Sequence, residues 1–251
     1  MSEAFWQALA DRHHHAPPDD RMRWEVEGDV ARYVGDGTAA FQYSLRFFQH
    51  PKDPATQIDR EISRARSLGR AIEWIAYPRP DPSPWVDRLQ DRGFQLKRRD
   101  RMFFSSSDRT FPSFSAIRVD EALSCADLSE VSNVLFEVWN DRAETVIDLL
   151  SKELSRGSGK SRAFLVRREG RPVACAWTKY YGDVAYLFGG STVPGFRGQG
   201  AYPALVAVRA QRARIDGIPF VVADCSPSSE RVMRKLGFTD GGSVCKYELG
   251  L

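Results

Sequence analysis

Residues 193–206 of the chain read VPGFRGQGAYPALV, and this stretch decides how the rest of the sequence is interpreted. It holds three glycines and one arginine, and no Asp or Glu occurs anywhere from Ser191 to Ile215. An apolar segment precedes it, and a segment with helical spacing, 201–215, follows it. The N–H groups at a helix start are unpaired and carry the positive end of the helix dipole. The stretch therefore predicts an anion site, and phosphate is the anion that suits it.

The glycines and the arginine have separate roles in this prediction. Gly198 and Gly200 have no Cβ, so a phosphate can lie against the main chain, and Arg197 can add a fork of donors. A Walker loop needs GK[ST] where this chain has Gly-Ala-Tyr at 200–202. A Rossmann fingerprint needs a third glycine where Pro203 stands. The sequence thus matches neither of these phosphate-binding loops.

Composition narrows the class of protein. The 251 residues are 42% hydrophobic and 27% charged, which suits a globular protein of one large domain or two small ones. A net charge of +3 is too balanced to indicate a nucleic-acid or membrane partner, and no apolar run is long enough to cross a bilayer. The four separated cysteines have no metal-binding spacing, so we expect reduced thiols, no metal and a cytoplasmic location. We interpret His13-His14-His15 as a solvated helix end.

The C-terminal half shows one clear order of elements. The pattern predicts a meander of antiparallel strands, then a helix after the glycine-rich stretch, and then a parallel crossover into a mixed sheet. The predicted strands are 115–119, 162–167, 172–180, 184–188 and 219–224, and the predicted helices are 127–139, 142–154 and 201–215, with Ser124 and Asp127 as candidate N-caps.

The chain also divides and repeats. A polar joint, SSSDRTFPS at 105–113, separates a lobe at 1–108 from a domain at 114–251. Each half contains a strand, a Pro/Ser turn, and a short helix that closes before a Gly-Phe pair, at 93–94 and 237–238. A glycine there suits a left-handed C-cap. We expect an internal duplication and an α+β fold of two lobes, each a mostly antiparallel mixed sheet flanked by helices.

The loop and its surroundings resemble the GNAT superfamily of acyl-CoA-dependent N-acyltransferases. The family signature is Arg/Gln-x-x-Gly-x-Gly/Ala after a strand that ends in Val-x-Pro, and here the loop reads RGQGAY from Arg197 to Tyr202. Downstream, VMRKLGF at 232–238 resembles the closing helix of the family, which usually reads Tyr-x-Lys-Leu-Gly-Phe. The resemblance covers about 115–251 and implies that the N-terminal lobe is a degenerate GNAT-like half that lacks the loop.

The resemblance implies an acetyl-CoA or other acyl-CoA site on these residues. Pantetheine would pair with the main chain near Ser191, Thr192 and Val193, and a backbone N–H near Val193 would face the thioester carbonyl. The pyrophosphate would sit on the N–H groups of five consecutive residues: Gly198, Gln199, Gly200, Ala201 and Tyr202.

Three positions depart from the family pattern. Tyr202 replaces the last Gly/Ala of the signature, and Ser226, a further candidate for the cofactor site, replaces a frequent asparagine. Met233 stands where many members carry the tyrosine that protonates the leaving thiolate, so that general acid cannot be transferred to this chain. On the acceptor side, Glu137 and Tyr186 are the candidate catalytic residues, and Asp141 flanks the same helix break.

The sequence thus predicts an N-acetyltransferase that moves an acetyl or acyl group directly to an amine of a small molecule or peptide. The alternative is a catalytically weak acyl-CoA-binding module with a regulatory or scaffolding role, which Met233 favours. A third interpretation, transfer from aminoacyl-tRNA, needs a strongly basic channel, and the net charge of +3 argues against it. Neither the acceptor nor a homodimer can be decided from the sequence.

Overall fold

A computed structural model describes residues 3–11, 21–27, 30–37, 43–47, 53–77, 85–140, 143–155 and 159–250. The chain forms two compact units. The first unit contains 1–102, 225–228 and 240–251, and the second contains 103–224 and 229–239. His13, His14, His15 and Asp141 lie outside the described residues.

The first unit is a mixed sheet with helices. Its elements are α1 (Glu3–Asp11), β1 (Met22–Glu27), β2 (Val30–Gly35), β3 (Tyr43–Phe47), α2 (Pro54–Ser67), β4 (Ile72–Ala76), α3 (Trp85–Gln90) and β5 (Gln95–Ser106), which passes into the second unit at Phe103, together with most of the last strand, β11 (Thr239–Leu249). The strand order is β1-β2-β3-β4-β11-β5. Only β3 and β4 are parallel among the registered pairs of this unit, because α2 carries the chain across between them.

Helix α2 covers this sheet with one apolar face. Asp53 caps its start by accepting a hydrogen bond from the Thr56 N–H at 3.2 Å. The buried residues Ile58, Ile62 and Ala65 recur at three- and four-residue spacing and pack in one cluster with Trp74. The periodicity of the helix thus produces the core of the first unit.

The second unit contains the glycine-rich stretch. Its remaining elements are β6 (Val119–Glu121), α4 (Cys125–Trp139), α5 (Ala143–Ser155), β7 (Ser161–Arg168), β8 (Arg171–Tyr181), β9 (Val184–Thr192), a 3₁₀ turn (Pro194–Phe196), α6 (Ala201–Ile215), β10 (Phe220–Cys225) and α7 (Pro227–Lys235), of which the last two contribute residues to both units. β6 to β9 form an antiparallel meander, and β10 pairs with β9 in parallel. The expected fold class, mostly antiparallel mixed sheets flanked by helices, is confirmed.

Helix α4 begins at Cys125, two residues before the predicted start, and the first of the two candidate caps is its N-cap. Ser124 is the N-cap, and its hydroxyl accepts a hydrogen bond from the Asp127 N–H at 3.1 Å. Asp127 is the third residue of the helix rather than a second cap, and its carboxylate accepts from the Ser124 N–H at 3.0 Å. The hydrogen bonds from Ser124, and then one from Arg167, hold the pKa of Asp127 well below its usual range.

The repeated strand–helix–strand unit is present in both places. Gly93 and Gly237 have φ of 82° and 80°, and each follows a short helix. The next residue, Phe94 or Phe238, donates its N–H back to Leu89 O or Met233 O, each at 3.0 Å. The left-handed cap predicted for both glycines is therefore correct.

The start of the second unit and the division of the chain differ from the sequence prediction. The strand expected at 115–119 is β6, at Val119–Glu121, because Ile117 closes a turn with Phe114 O at 2.8 Å. The compact units also do not follow the division into 1–108 and 114–251. β11 pairs with β4, from Cys245–Ala76 to Leu249–Ile72, so the end of the chain belongs to the first unit.

Candidate active site

The pairing of β9 with its parallel neighbour, β10, stops before the end of β9. Its register with β10 covers Val184–Phe220 to Tyr186–Val222, whereas its pairing with β8 continues to Thr192–Ala174. Among the described residues, no strand is registered with β9 on the side away from β8 beyond Tyr186. We call this side of Leu187–Thr192 the open edge of β9. Its main-chain groups can accept an extended ligand as a further strand.

A β-bulge interrupts the same part of β9. Trp177 pairs with Phe188 and Cys175 pairs with Ser191, so β9 has one residue more than β8 in this interval. The extra length falls at Gly189 and Gly190, and Gly189 has a φ of 60°. A Cβ on Gly189 would overlap the Trp177 ring, and one on Gly190 would lie 3.0 Å from Tyr202 Cδ2 and closer still to Cε2. Both glycines are therefore needed for close packing of aromatic rings against the bulge.

The loop after β9 leads into α6, whose N-terminus has no side-chain cap. The 3₁₀ turn ends at Arg197, and Gly200 takes a left-handed conformation, with φ 86°, as the N-cap of α6. No side chain caps α6, so the N–H groups of its first turn point out of the helix without an intrahelical acceptor. A Cβ on Gly198 would meet nothing within 4 Å, which leaves room for a ligand beside the main chain. The predicted helix bounds, 201–215, are confirmed.

Arg197 is held at the mouth of this loop. Its Nε donates to Thr192 O at 3.1 Å, which ties the guanidinium to the end of β9. Gln199 Nε2 donates to Gly195 O at 3.3 Å within the turn. Both side chains are exposed, and the loop contains no carboxylate. The arrangement suits an anion, as the sequence predicted.

Tyr202 reaches from the start of α6 to α7. Its ring packs over Gly190, and its hydroxyl donates to Met233 Sδ at 3.9 Å. Met233 is fully buried and Tyr202 is half-buried. The two side chains that depart from the family pattern on these helices are therefore in contact.

The three candidate residues at the end of β9 differ in their availability. Ser191 Oγ and Thr192 Oγ1 are buried and have no hydrogen-bond partner within the part of the chain that the structure describes. Unpaired buried hydroxyls are costly, so these two groups lower the stability of this end of β9. The N–H of Val193, in contrast, donates to Val173 O at 2.9 Å. Val193 itself is thus no donor for an oxyanion, and the donor must come from the open edge upstream.

Glu137 and Tyr186 lie near opposite ends of β8, because the first contacts Arg171 and the second pairs with Lys179. Glu137 is exposed and receives hydrogen bonds from Arg171 Nη2 at 3.0 and 3.2 Å. Tyr186 is buried and pairs with Lys179 of β8. Arg171 and Lys179 are separated by about 26 Å along the strand, at roughly 3.3 Å per residue. The structure does not bring the two candidates together, and the contacts of Glu137 are those of a surface ion pair.

Tyr186 instead belongs to a group that the sequence did not reveal. Its ring stacks on Phe188 at 4.8 Å, and Phe188 stacks on Trp177 at 6.4 Å. Lys179 Nζ lies 5.9 Å from the Phe188 ring centroid and 2.5 Å from Glu153 Oε1. Trp177 and Phe188 pack with residues of α4 and α5, so this group faces those helices. Only alternation along β8 could have suggested that Lys179 and Trp177 share a face.

Arg209 is the second residue that the sequence analysis missed. It is 2% exposed, and its guanidinium donates to main-chain oxygens on both sides of the bulge: Nη1 to Trp177 O at 3.0 Å and to Phe188 O at 3.1 Å. Nε donates to Leu205 O at 3.0 Å. The signal was available, because Arg209 falls on the buried face of α6, four residues after Leu205 and four before Ala213.

Ser226 and the thiols complete the sequence candidates. Ser226 belongs to the first compact unit, where its hydroxyl lies 2.9 Å from Ser228 Oγ.

All four cysteines are free, and burial raises the pKa of Cys175 to about 12, which makes it a poor nucleophile. Cys225 is buried, as expected. The described residues contain no group of three or more metal-ligating side chains and no helix long and apolar enough to span a membrane.

Comparison with known proteins agrees with this geometry. Residues 125–238 match the model of the acetyltransferase (GNAT) family. This segment contains β7 to β9, the loop, the open edge of β9 and α7. Among curated proteins, no sequence matches the chain.

Several solved structures share the fold over nearly the whole chain. A GCN5-related N-acetyltransferase from Kribbella flavida has a TM-score of 0.75 and 16% identity, and covers 98% of this chain and 94% of its own. Another from Sphaerobacter thermophilus has a TM-score of 0.63 and 14% identity over 90% of this chain and 81% of its own. A tandem GNAT protein from the clavulanic acid biosynthesis pathway has a TM-score of 0.62 and 12% identity over 98% and 93%. At these identities the likeness establishes the fold.

Proposed function

We propose that the protein transfers an acetyl or related acyl group from acyl-CoA directly to an amine of a small molecule or peptide, because residues 125–238 match the model of the acetyltransferase (GNAT) family. The observation that carries this proposal is the junction of the open edge of β9 with the uncapped start of α6. One element offers main-chain groups to an extended chain, and the other offers N–H donors to a phosphate. Pantetheine and pyrophosphate are joined in that order in CoA.

The residues present fit this ligand. The N–H groups of residues 198–202 and the Arg197 guanidinium would hold the pyrophosphate, and the open edge of β9 would hold the pantetheine amides. The main chain of Ser191 and Thr192 belongs to this open edge, where both residues pair with β8 on the other side. When bound, acyl-CoA supplies an acyl thioester that an amine can attack.

In the transfer, a C–N bond forms and the C–S bond breaks, while the amine nitrogen gives a proton to water and the sulfur gains one. The protein has two tasks in this step. It must stabilise negative charge on the carbonyl oxygen, and we assign this to N–H groups of the open edge at the bulge. A donor of this kind contributes about 2.7–4 kcal/mol in other enzymes. It must also help the sulfur to leave as a thiol. A thiol pKa near 8.5 already makes thiolate a fair leaving group.

We assign protonation of the thiolate to Tyr202. Its hydroxyl already donates to a sulfur, Met233 Sδ at 3.9 Å, beside the bulge. A phenol with a pKa near 10 can protonate a thiolate as it departs. Tyr202→Phe removes only the hydroxyl, so we expect acetyl-CoA affinity to be retained and kcat to fall by about 10²-fold or more. An unchanged kcat in this variant would exclude Tyr202 as the acid.

The acceptor amine would arrive from the side of α4 and α5. Tyr186 and Phe188 line that face of β9, and Lys179 and Glu153 place one charge of each sign beside them. We propose Tyr186 as a residue that contacts the acceptor. We give Glu137 no part in the reaction, because its ion pair with Arg171 lies at the far end of β8.

The alternative function is a catalytically weak acyl-CoA-binding module. The fully buried Met233 favours it, since no hydroxyl occupies that position of α7. The two functions differ in turnover and agree in binding. Release of free thiol from acetyl-CoA in a panel of polyamines, amino sugars and peptide amines would support the enzyme. Binding without thiol release across the whole panel would favour the module.

The first experiment is calorimetric titration with acetyl-CoA, with desulfo-CoA and ATP as comparators. We expect 1:1 binding of both CoA species and weaker binding of ATP, which lacks pantetheine. Failure of every CoA species to bind would refute the proposal.

Arg197→Glu tests the loop within the same assay. A carboxylate at this position repels phosphate and removes a charge-assisted donor, so acetyl-CoA affinity should fall at least about tenfold. Arg214→Glu is the matched control, because it makes the same charge change about 20 Å away along α6, beyond the screening length. Equal effects of the two variants would contradict a local role for Arg197.

A further inference from the structure

Arg209 occupies a position where an apolar residue is expected. Its neighbours on the buried face of α6 are Ala201, Leu205 and Ala213, and it is 2% exposed. Burial of a guanidinium carries a large desolvation penalty, which its hydrogen bonds must offset. A position that tolerates this cost holds the arginine for a reason other than the packing of α6.

Arg209 donates to three main-chain oxygens. Leu205 O lies on α6 itself, while Trp177 O and Phe188 O lie on the two strands that flank the bulge. A bulge disrupts the local ladder, so its carbonyl groups need donors from outside the sheet. A single nitrogen, Nη1, donates to both strands, while Nε donates to α6. A lysine has no second nitrogen with which to make the α6 contact at the same time. Arg209 therefore fixes the spacing of β8 and β9 at the bulge.

The bulge is also fixed from both faces. The Trp177 ring lies against Gly189, and the Tyr202 ring lies against Gly190. With Arg209 bonded to the carbonyl of Phe188, the residue before this glycine pair, the main chain between Phe188 and Ser191 has little freedom. The direction of its N–H groups is then set before any ligand binds.

We propose that Arg209 is a positioning residue for acyl transfer: it holds the β8–β9 bulge so that the open edge of β9 receives the thioester carbonyl. This inference rests on the proposed function for the location of the thioester. It does not place Arg209 in contact with the ligand. It assigns a role in the reaction to a residue outside the signature loop and α7.

Two variants of Arg209 and one control test the proposal. Arg209→Met removes the donors and keeps the length of the side chain, and Arg209→Lys keeps the charge and loses the fork. Arg212→Met is the control, since Arg212 lies on the same helix but its Nε bonds a surface carboxylate, Asp216 Oδ2 at 3.0 Å. If Arg209→Met does not fold, Arg209→Lys carries the test.

The first readout needs no ligand. Amide hydrogen exchange at residues 187–191 should accelerate at least about tenfold in both Arg209 variants and stay unchanged in Arg212→Met, while β7 keeps its protection. Unchanged exchange at 187–191 in the Arg209 variants would overturn the proposal. This result is independent of whether the protein binds CoA.

The second readout is the preference for acetyl-CoA over desulfo-CoA in calorimetry. A correctly held bulge adds a contact to the carbonyl that desulfo-CoA cannot make, a preference of up to about tenfold. The Arg209 variants should lose this preference and keep their affinity for desulfo-CoA within about threefold. A preference that persists despite faster exchange would show that the bulge does not receive the thioester. Wild-type protein that binds no CoA species would refute the proposed function, and the exchange data would still decide whether Arg209 holds the bulge.

Discussion

Replacement of Gly189 by alanine is the most direct test of how the bulge is built. Gly189 has a φ of 60°, a conformation that L-residues rarely adopt. An added Cβ would overlap three carbons of the Trp177 ring, Cζ3, Cη2 and Cε3. Trp177 cannot move aside easily, because it is 5% exposed and its ring lies 6.0 Å from that of Trp139 and 6.4 Å from that of Phe188.

Two terms give the expected size of the effect. The left-handed conformation costs an alanine about 1–2 kcal/mol relative to glycine. Insertion of a methyl group into a packed aromatic cluster costs about 1–3 kcal/mol more. Gly189→Ala should therefore lower the free energy of unfolding by about 2–5 kcal/mol. This loss is a large part of the total stability of about 5–15 kcal/mol that is typical of natural proteins.

Gly170→Ala separates the two terms. Gly170 has a φ of 79°, and a Cβ there would meet nothing within 4 Å, so only the conformational term remains. Urea unfolding followed by far-UV circular dichroism should give a loss of about 1–2 kcal/mol for Gly170→Ala and a clearly larger one for Gly189→Ala. Equal losses would mean that the Trp177 ring yields without cost, and the account of a rigid bulge would be refuted.

Three further predictions concern the neighbours of the bulge. Met233→Tyr alone should destabilise the protein by about 1–3 kcal/mol, because it enlarges a fully buried side chain. Combined with Tyr202→Ala, it should regain much of that loss in urea unfolding. Gly190→Ala should lower stability through its clash with the Tyr202 ring, and addition of Tyr202→Ala should relieve the clash; additive losses in the double variant would contradict this contact. In the native protein at pH 8, a thiol reagent followed by mass spectrometry should modify the exposed Cys125 first and leave Cys175 intact, since burial raises the pKa of Cys175 to about 12; early modification of Cys175 would show that it is accessible.

Local patterns predicted most of the elements of the second unit. Periodicity predicted the bounds of α6, and N-cap preference identified Ser124 as one of two candidate caps of α4. The same reasoning predicted a left-handed cap at Gly93 and Gly237. Each of these signals comes from residues within a few positions of one another, where short-range sterics and hydrogen bonding decide the conformation.

Pairing between strands that are far apart in the chain could not be predicted from such local patterns. A strand was predicted at 184–188, whereas β9 continues through a bulge to Thr192. The assignment of β11 to the first unit depends on its register with β4, more than 160 residues earlier in the chain. Strand pairing over this separation leaves no local trace in the sequence.

The candidate site shows the same limit in its chemistry. Compared with the family pattern one position at a time, this sequence has Tyr202 in place of a small residue and Met233 in place of a tyrosine. The absence of that tyrosine favours a catalytically weak protein. The structure joins these positions, 31 residues apart, through the hydroxyl of Tyr202 and the sulfur of Met233. Between them, α6 and α7 thus still bring one phenol to this place, and it comes from α6 instead of α7. If a phenol near the bulge is what the reaction needs, the two substitutions compensate each other, and Tyr202→Phe should cost this protein what loss of the α7 tyrosine would cost a relative.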